Sequence, residues 1–161
     1  MTTHQPLIPS IVVDGARQAL EFYERALGAQ VLKCFTMPDD TIAHAEVVIA
    51  NTLVYVLDPL PALKLDAPSR LGARTGSFTI YVDDIHGAFQ TAHNAGATVV
   101  QTPEVSFTGD HYGILECPFG HRWILTQKVA DVSDEDIQSG VENWSKAVSD
   151  KKRSKTSEFR T

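Results

Sequence analysis

Residues 10–32 read SIVVDGARQALEFYERALGAQVL, and residues 79–100 repeat the same order of features as TIYVDDIHGAFQTAHNAGATVV. Each copy begins with an apolar strand, turns at Asp or Gly, continues as an amphipathic helix, stops at Gly and resumes as a second apolar strand. Two copies are too few to stack as a solenoid, so the repeat predicts a duplicated supersecondary unit.

The spacing between the two copies is nearly constant. Val13 precedes Val82 by 69 positions, and Gly28 precedes Gly96 by 68 positions. One residue of slip inside the helix therefore reconciles the two copies.

The order of elements predicted for each copy is β-α-β-β-β. The first copy spans residues 7–57 and the second spans residues 77–127, joined by a linker rich in Pro and Gly at residues 58–76. A C-terminal helix at residues 131–149 and a disordered basic tail at residues 150–161 are expected to follow. The predicted strands are 7–13, 31–36, 42–49, 52–57, 78–82, 98–102, 112–116 and 121–127, and the predicted helices of the copies are 15–27 and 85–94. The expected fold class is α+β, with two tandem βαβββ modules and a C-terminal helix.

Composition and charge exclude several classes of function. The chain has 161 residues, of which 43% are hydrophobic and 21% are charged, and this is enough to bury one core. Its formal charge is −6, but residues 151–161 carry five basic residues against one acidic residue, and this +4 leaves −10 on residues 1–150. An acidic body is unsuited to a phosphate backbone, so no nucleic-acid partner is expected.

The predicted location of the protein is cytoplasmic. No run of about 18 apolar residues is present, so no membrane span is expected. The N-terminal residues MTTHQPLIPS lack the charged and then apolar form of a signal peptide. Cys34 and Cys117 form neither a disulfide framework nor a CxxC metal site, so both are expected to be reduced thiols.

The segment Ile42–Ile49 alternates in polarity. Its small or branched apolar residues suit a face that packs against a helix, and they are Ala43, Ala45, Val47 and Ile49. His44 and Glu46 point to the opposite face of the predicted strand. The next strand, Thr52–Leu57, is almost wholly apolar apart from Tyr55, so both of its faces are expected to be covered.

Several motifs make the chain resemble a known superfamily. They are EFYERALGA at residues 21–29, YVDDI at 81–85, AGAT at 95–98 and CPFGHRWIL at 117–125. Together with the duplicated β-α-β-β-β plan, they resemble the vicinal oxygen chelate superfamily of glyoxalases, bleomycin-resistance proteins and extradiol dioxygenases. The segments AHAEVVI, GDHYG, PFGHRW and ADVSDEDI resemble the glyoxalase-like branch that is often labelled demethylubiquinone-methyltransferase-like. The chain departs from that branch at Cys117, where Asp is usual, and at His111, where Arg is common.

The resemblance implies a single glyoxalase-like domain at residues 1–130, in which the modules form a curved mixed sheet with a cup for a small ligand. Metal-using members of such a family hold an ion with four residues, one early in the first strand and one in the last strand of each copy. Carried over through the internal repeat, these positions fall on Ile8, Tyr55, Ser77 and Ile124. A divalent ion needs N, O or S donors, which Ile does not have, so no metal and no cofactor are expected.

Without a metal, the chemistry of the cup must come from other side chains. Glu46 is predicted to act as a catalytic base or as an acceptor for a cationic or hydroxylated ligand, with His44 titrating beside it. The alternative is that both residues form a pair at the rim, bonded to water or to a neighbouring strand.

The candidates for ligand binding are Tyr55, Ser77, Tyr112 and Arg122. Tyr55 is either a core residue or a source of a hydroxyl for the ligand. Arg122 either clamps a carboxylate or phosphate in bidentate fashion or pairs with Glu46 or Glu116.

Two further predictions concern the segments next to Tyr112 and Arg122. Residues 110–112 are predicted to form a loop that closes the cup, with His111 in it. His121 is predicted to have a structural role in the tight turn that follows Gly120.

Two classes of function are compatible with these features. The first is a small-molecule binding protein of the bleomycin-resistance kind, which needs a cup but no catalyst. The second is a lyase or isomerase of the glyoxalase kind that uses Glu46 as a general base, and fold likeness alone does not decide between them. The chain has no Ser-His-Asp order, phosphate-binding Gly-rich loop or dinucleotide fingerprint. A homodimer is expected, because a partner can cover the open edges of a curved sheet.

Overall fold

The computed structural model describes residues 7–158, with the surroundings of side chains for residues 7–148. The first module contains β1 (Ser10–Val12), α1 (Ala16–Leu27), β2 (Gln30–Thr36), β3 (Ile42–Ile49) and β4 (Thr52–Leu57). The second contains β5 (Ser77–Tyr81), α3 (Ile85–Asn94), β6 (Thr98–Val105), β7 (Asp110–Glu116) and β8 (Arg122–Lys128). A 3₁₀ turn (Pro61–Leu63) and the short helix α2 (Pro68–Leu71) lie between the modules, and α4 (Asp134–Glu158) follows them. The predicted α+β class with two tandem βαβββ modules is confirmed.

Each module forms its own four-stranded sheet, with the strand order β1-β4-β3-β2 in the first and β5-β8-β7-β6 in the second. The pairing of the first strand with the last strand of each module repeats between the sheets. Ser10 lies opposite Tyr55 in the parallel pair β1–β4, and adding 69 to both numbers gives Thr79 opposite Ile124 in β5–β8. The two sheets therefore share one register at their parallel pair.

The pairs β2–β3 and β6–β7 also correspond, but at a spacing of 68 residues instead of 69. Gln30 lies opposite Val48 in the first sheet, and adding 68 to both numbers gives Thr98 opposite Glu116 in the second. The change from 69 to 68 falls between β1 and β2, where the helix lies, as the sequence predicts, and the spacing returns to 69 between β3 and β4.

One face of each sheet is buried against the helices. In β3, Ala45, Val47 and Ile49 are buried, whereas His44 and Glu46 are only partly buried on the opposite face. Burial of branched apolar side chains of this kind stabilises the fold by about 1.5–3 kcal/mol each. The predicted alternation is therefore confirmed from His44 to Ile49, but it was wrong at the start of the strand, where Ile42 is buried and Ala43 is only partly buried.

The two modules are joined through their helices. α1 packs against α3, and Tyr23 of α1, which is fully buried, contacts the rings of Trp123 on β8 and Phe119 edge-on, with centroids 5.5 and 6.4 Å apart. Burial raises the pKa of the Tyr23 hydroxyl well above its usual value, and burial also raises the pKa of the neighbouring Cys117 thiol. Cys34 and Cys117 are both free thiols.

Several boundaries differ from the prediction, and β1, predicted at residues 7–13, is limited to Ser10–Val12. β7 begins at Asp110, so Asp110 and His111 belong to a strand, where they lie opposite Lys128 and Gln127 of β8. The prediction of a loop at residues 110–112 was therefore wrong, because a strand pairing across the sheet overrides the local Gly-Asp turn signal. β6 extends to Val105, and α4, predicted at residues 131–149, begins at Asp134 and continues to Glu158. The last three residues of the expected basic tail, 159–161, lie outside the described residues.

The expectation that both faces of β4 are covered was also wrong, because a single chain covers only one of them. Val54 and Val56 are buried, but Leu53 and Tyr55 on the other face are only partly buried. The helices cover one face of each sheet and leave the other uncovered. Within residues 7–158 no helix is both long enough and apolar enough to cross a membrane.

Asp58, directly after β4, binds three backbone N–H groups. Its Oδ1 accepts hydrogen bonds from the backbone N of Gly15 at 3.1 Å and of Ala16 at 2.8 Å, and its Oδ2 accepts from the backbone N of Ile42 at 2.7 Å. Gly15 precedes α1 with φ of 90° and has no side chain to cap the helix, so the distant carboxylate takes the place of a local N-cap.

Gln127 occupies the position 69 residues after Asp58 and makes a related contact. Its Oε1 accepts a hydrogen bond from the backbone N of Ile85, the first residue of α3, at 3.2 Å. In each module, the residue at the end of the last strand thus binds the start of the helix, and in α3 the local N-cap Asp84 also accepts hydrogen bonds from the backbone N of His86 and Gly87.

Asp58→Ala is expected to lower the free energy of unfolding by about 2 kcal/mol, because three backbone N–H groups lose their acceptor and α1 loses its cap. Urea denaturation followed by circular dichroism measures this loss. The matched control is Asp39→Ala, which removes a carboxylate that accepts from the backbone N of Thr41 in an exposed turn. The control is expected to cost less than about 0.5 kcal/mol, and equal losses in the two variants would contradict the anchoring role of Asp58.

Candidate functional site

The uncovered face of the first sheet carries an aromatic and ionic group that we call the first outer face, defined by Phe35, His44, Glu46 and Tyr55. The His44 ring lies edge-on to Tyr55, with centroids 4.5 Å apart, and stacks on Phe35 at 6.3 Å. The Nε2 atom of His44 is 3.8 Å from Oε1 of Glu46. The structure therefore brings together three of the predicted site residues, His44, Glu46 and Tyr55.

Glu46 already has a partner on the neighbouring strand. Lys33 on β2 lies opposite Glu46 in the sheet, and its Nζ is 3.2 Å from Oε1 and 3.1 Å from Oε2 of the carboxylate. The Lys33 side chain is 57% exposed, so this contact is worth no more than about 1 kcal/mol and can open for a ligand. Both predicted roles of Glu46 remain predictions.

The uncovered face of the second sheet, the second outer face, contains Thr79, Tyr81, Tyr112, Arg122 and Ile124. At one end, Ser77 and Arg122 lie opposite each other on β5 and β8 and line a hollow of about 430 Å³ together with Arg74 and Ile124. Ser77 and Arg122, two further predicted site residues, are therefore neighbours.

Arg122 has an acidic neighbour on its own face. Its Nε is 3.8 Å from Oε2 of Glu116, and Arg74 donates a hydrogen bond to the same carboxylate and another to the backbone O of Gly120 at 2.9 Å. Of the two partners considered for Arg122, the structure shows Glu116 and not Glu46. Two guanidinium groups share one carboxylate here, so this end of the second outer face carries a surplus of positive charge.

At the other end of the second outer face lies a larger cavity of about 650 Å³, which we call the α4 hollow. Its floor includes Tyr112 and Ile124, and Val141 and Trp144 of α4 form one wall. Gly140 allows this approach, because a Cβ at that position would lie 2.5 Å from the Phe107 ring. Tyr112 is therefore in a different hollow from Ser77 and Arg122, although Ile124 lines both.

The remaining histidines of this module point elsewhere. The His111 ring packs against His86 of α3, with centroids 5.0 Å apart, so it lies on the helix side of the sheet. The Nδ1 atom of His121 is buried and has no hydrogen-bond partner among the described residues, and burial lowers the pKa of His121 from 6.5 to about 4. The residue as a whole is partly buried, and the structural role predicted for it stays a prediction.

The donor set at the positions implied for a metal does not suit a divalent ion. Tyr55 and Ile124 occupy equivalent positions on the two outer faces, as the internal repeat predicts, and Ser77 begins β5. Ile8 and Ile124 have no donor atoms, and the two hydroxyls that remain are poor ligands for an ion that needs several charged or imidazole donors. In the part of the chain that the structure describes, no three His, Cys, Asp or Glu side chains are grouped so that they can hold a metal.

Several residues that line the hollows were not among the candidates predicted from the sequence. Trp144 and Val141 reach the α4 hollow from a helix predicted only as a C-terminal extension, and Arg74 reaches the smaller hollow from the linker. Apolar residues at helical spacing, Ile137, Val141, Trp144 and Val148, were the available signal for α4. No comparable signal marks Arg74.

Comparisons with known proteins agree with this architecture. The family model of the Glyoxalase/Bleomycin resistance protein/Dioxygenase superfamily matches residues 6–125. The uncharacterized protein Mb0911c of Mycobacterium bovis is 38% identical over 138 residues, which cover 84% of this chain and 91% of that protein.

Solved structures show the same fold. The crystal structure of TioX from Micromonospora sp. ML1 matches with a TM-score of 0.62 and 20% identity, covering 78% of this chain and 100% of TioX. Protein PA1353 from Pseudomonas aeruginosa matches with a TM-score of 0.63 and 19% identity, covering 79% of this chain and 100% of that one. The matching model describes the superfamily as a whole, so the narrower branch remains a prediction. The repeated sheets, the uncovered faces and the match over residues 6–125 together establish that the chain belongs to the Glyoxalase/Bleomycin resistance protein/Dioxygenase superfamily.

Proposed function

We propose that the protein binds a small molecule on the outer faces of its sheets, acts as a homodimer and uses no metal. The observation that supports this most is the α4 hollow, whose volume of about 650 Å³ lies within the range of small-molecule sites and whose lining is mainly apolar and aromatic. Membership of the superfamily supports a binding or enzyme-like role of this kind.

The contacts of Glu46 favour binding over catalysis. A general base takes up the proton that it removes, and protonation of Glu46 would give up its ion pair with the Lys33 ammonium group, whose Nζ lies within 3.2 Å of both carboxylate oxygens. A carboxylate held in this way is suited to orient a cationic or hydroxylated group, as predicted from the sequence. The alternative function is a lyase or isomerase of the glyoxalase kind in which Glu46 is released from Lys33 and acts as the base.

Binding and catalysis can be separated with the Glu46→Gln variant. The binding proposal predicts that neither the native chain nor the variant accelerates isomerisation of the hemithioacetal formed from methylglyoxal and a thiol. It also predicts that both bind the neutral apolar dye N-phenyl-1-naphthylamine saturably, as measured by fluorescence titration. Turnover by the native chain that disappears in Glu46→Gln while dye binding persists would establish the lyase or isomerase instead. Absence of saturable dye binding would contradict the binding proposal.

The uncovered outer faces support the homodimer. Sheet edges are open at β1, β2, β5 and β6, and large apolar side chains at or near them are exposed, including Phe35 at 57%, Tyr81 at 67% and Val105 at 65%. A second copy that covers part of these faces would bury apolar area and protect the edges. The same copy would also enclose the ligand more completely.

Light scattering at micromolar concentration is expected to give twice the mass of one chain. Phe35→Asp is expected to shift the protein towards the monomer, because it places a charge on the first outer face. Leu63→Asp is the matched control, since Leu63 is 68% exposed but lies in the linker, away from the sheets. A monomeric native chain, or an equal effect of the two variants, would contradict this assembly.

A further inference from the structure

We infer that the α4 hollow selects a flat apolar ligand that carries a positive charge, and that α4 forms the wall against which the flat part of the ligand stacks. This inference rests on the proposed binding function and adds the chemical class of the ligand. Three features of the α4 hollow support it: the charges in its lining, the aromatic rings around it and the close approach of α4.

The charged residues of the α4 hollow are all acidic. Glu104 and Asp110 line it, and among the described residues its lining contains no Lys, Arg or His. Charges of one sign along a cavity with apolar walls focus the electrostatic potential inside it, and here the potential favours a cation. The smaller hollow beyond Ile124 has the opposite character, because Arg74 and Arg122 line it.

The carboxylate of Asp110 is only partly compensated. Its Oδ2 accepts a hydrogen bond from the Thr108 hydroxyl at 2.8 Å, but its Oδ1 is buried and has no hydrogen-bond partner among the described residues. The cation nearest along the sheet is Lys128, which lies opposite Asp110 on β8. The Lys128 Nζ instead donates to the backbone O of Thr108 at 3.4 Å and lies 3.9 Å from Asp131. Asp110 as a whole is only partly buried, but one oxygen of its carboxylate lacks a partner, so its negative charge would attract a cation bound in the α4 hollow.

The walls of the α4 hollow are suited to a flat cationic ligand. Four aromatic side chains line it, namely Tyr81, Phe107, Tyr112 and Trp144. Trp144 is 60% exposed, so much of its indole surface is free to receive a ligand. Indole is the aromatic group that attracts cations most strongly, and its face also stacks on flat apolar rings.

The position of α4 depends on Gly140. The Phe107 ring would lie 2.5 Å from a Cβ at this position, so any larger residue must move either the ring or the helix. Val141 and Trp144 follow on the same helix and reach the hollow from there. Gly140 therefore sets the distance between Trp144 and the floor of the α4 hollow.

Two probes of equal size test the selection for charge. They are 2-naphthylmethylamine, which is a cation at neutral pH, and 2-naphthalenemethanol, which is its neutral counterpart. Calorimetric titration of the full chain at low ionic strength is expected to show about tenfold tighter binding of the amine, as one charge-assisted contact provides. Asp110→Asn is expected to remove this preference while binding of the alcohol persists, and Glu104→Gln is expected to reduce it.

The matched control for charge is Glu24→Gln. It removes one negative charge from an exposed position on α1, outside the α4 hollow, and it is expected to leave the preference for the amine unchanged. An equal loss in Glu24→Gln and Asp110→Asn would overturn the assignment of the cation to this hollow. Circular dichroism checks that each variant folds. If Asp110→Asn does not fold, Glu104→Gln, which changes an exposed side chain, takes its place as the test.

The role of α4 is tested by two further variants. Trp144→Ala and Gly140→Ala are expected to weaken both probes about tenfold, because one removes the stacking surface and the other displaces it. Gln138→Ala, on the exposed side of α4 where its amide donates a hydrogen bond to Glu142, is expected to change neither affinity.

The outcomes separate this inference from the proposed function. If both probes bind equally well, small-molecule binding stands and the selection for a cation is wrong. If neither probe binds at millimolar concentration, the selection for a flat cation is wrong, and saturable binding of N-phenyl-1-naphthylamine then decides whether the proposed function survives. If Trp144→Ala leaves both affinities unchanged, α4 is not the wall of the site.

Discussion

The packing of α1 against α3 is the constraint on which the architecture and the candidate site both depend. Tyr23 is fully buried at this contact and lies against Trp123 and Phe119 of the other module. Because the two helices occupy the space between the sheets, the opposite face of each sheet is left uncovered. The same packing that builds the core therefore creates the two outer faces on which ligands can bind.

Much of the fold could be predicted from the sequence, because the sequence contains an internal repeat whose two copies can be aligned with each other. The repeat at 69 and 68 positions predicts the equivalence of Tyr55 and Ile124, and the strand pairings bear it out. The strands Ile42–Ile49 and Thr52–Leu57 and the helix Ile85–Asn94 agree with their predicted bounds. Contacts that join distant parts of the chain were not predictable in the same way. Asp58 was predicted to belong to a linker, yet it caps α1 across the module.

The candidate site was predicted less completely than the fold. Strand alternation correctly places His44 and Glu46 together, because side-chain direction in a strand follows from sequence position alone. The Lys33 partner of Glu46 depends on the register between β2 and β3, which contains two irregularities that no local pattern indicates. Trp144 depends on where a long helix lies after the last strand, and that position is set by the contact of Gly140 with Phe107.

We propose that this member of the superfamily binds its ligand without an ion, since Ile8 and Ile124 stand where the resemblance implies ligands to a metal. Elemental analysis of the protein, purified without added metal and dialysed against a chelator, tests this directly. We expect a metal content far below one ion per chain, with binding of N-phenyl-1-naphthylamine unchanged by the chelator. Near-stoichiometric metal that survives the chelator, or dye binding that requires an added divalent ion, would contradict the claim.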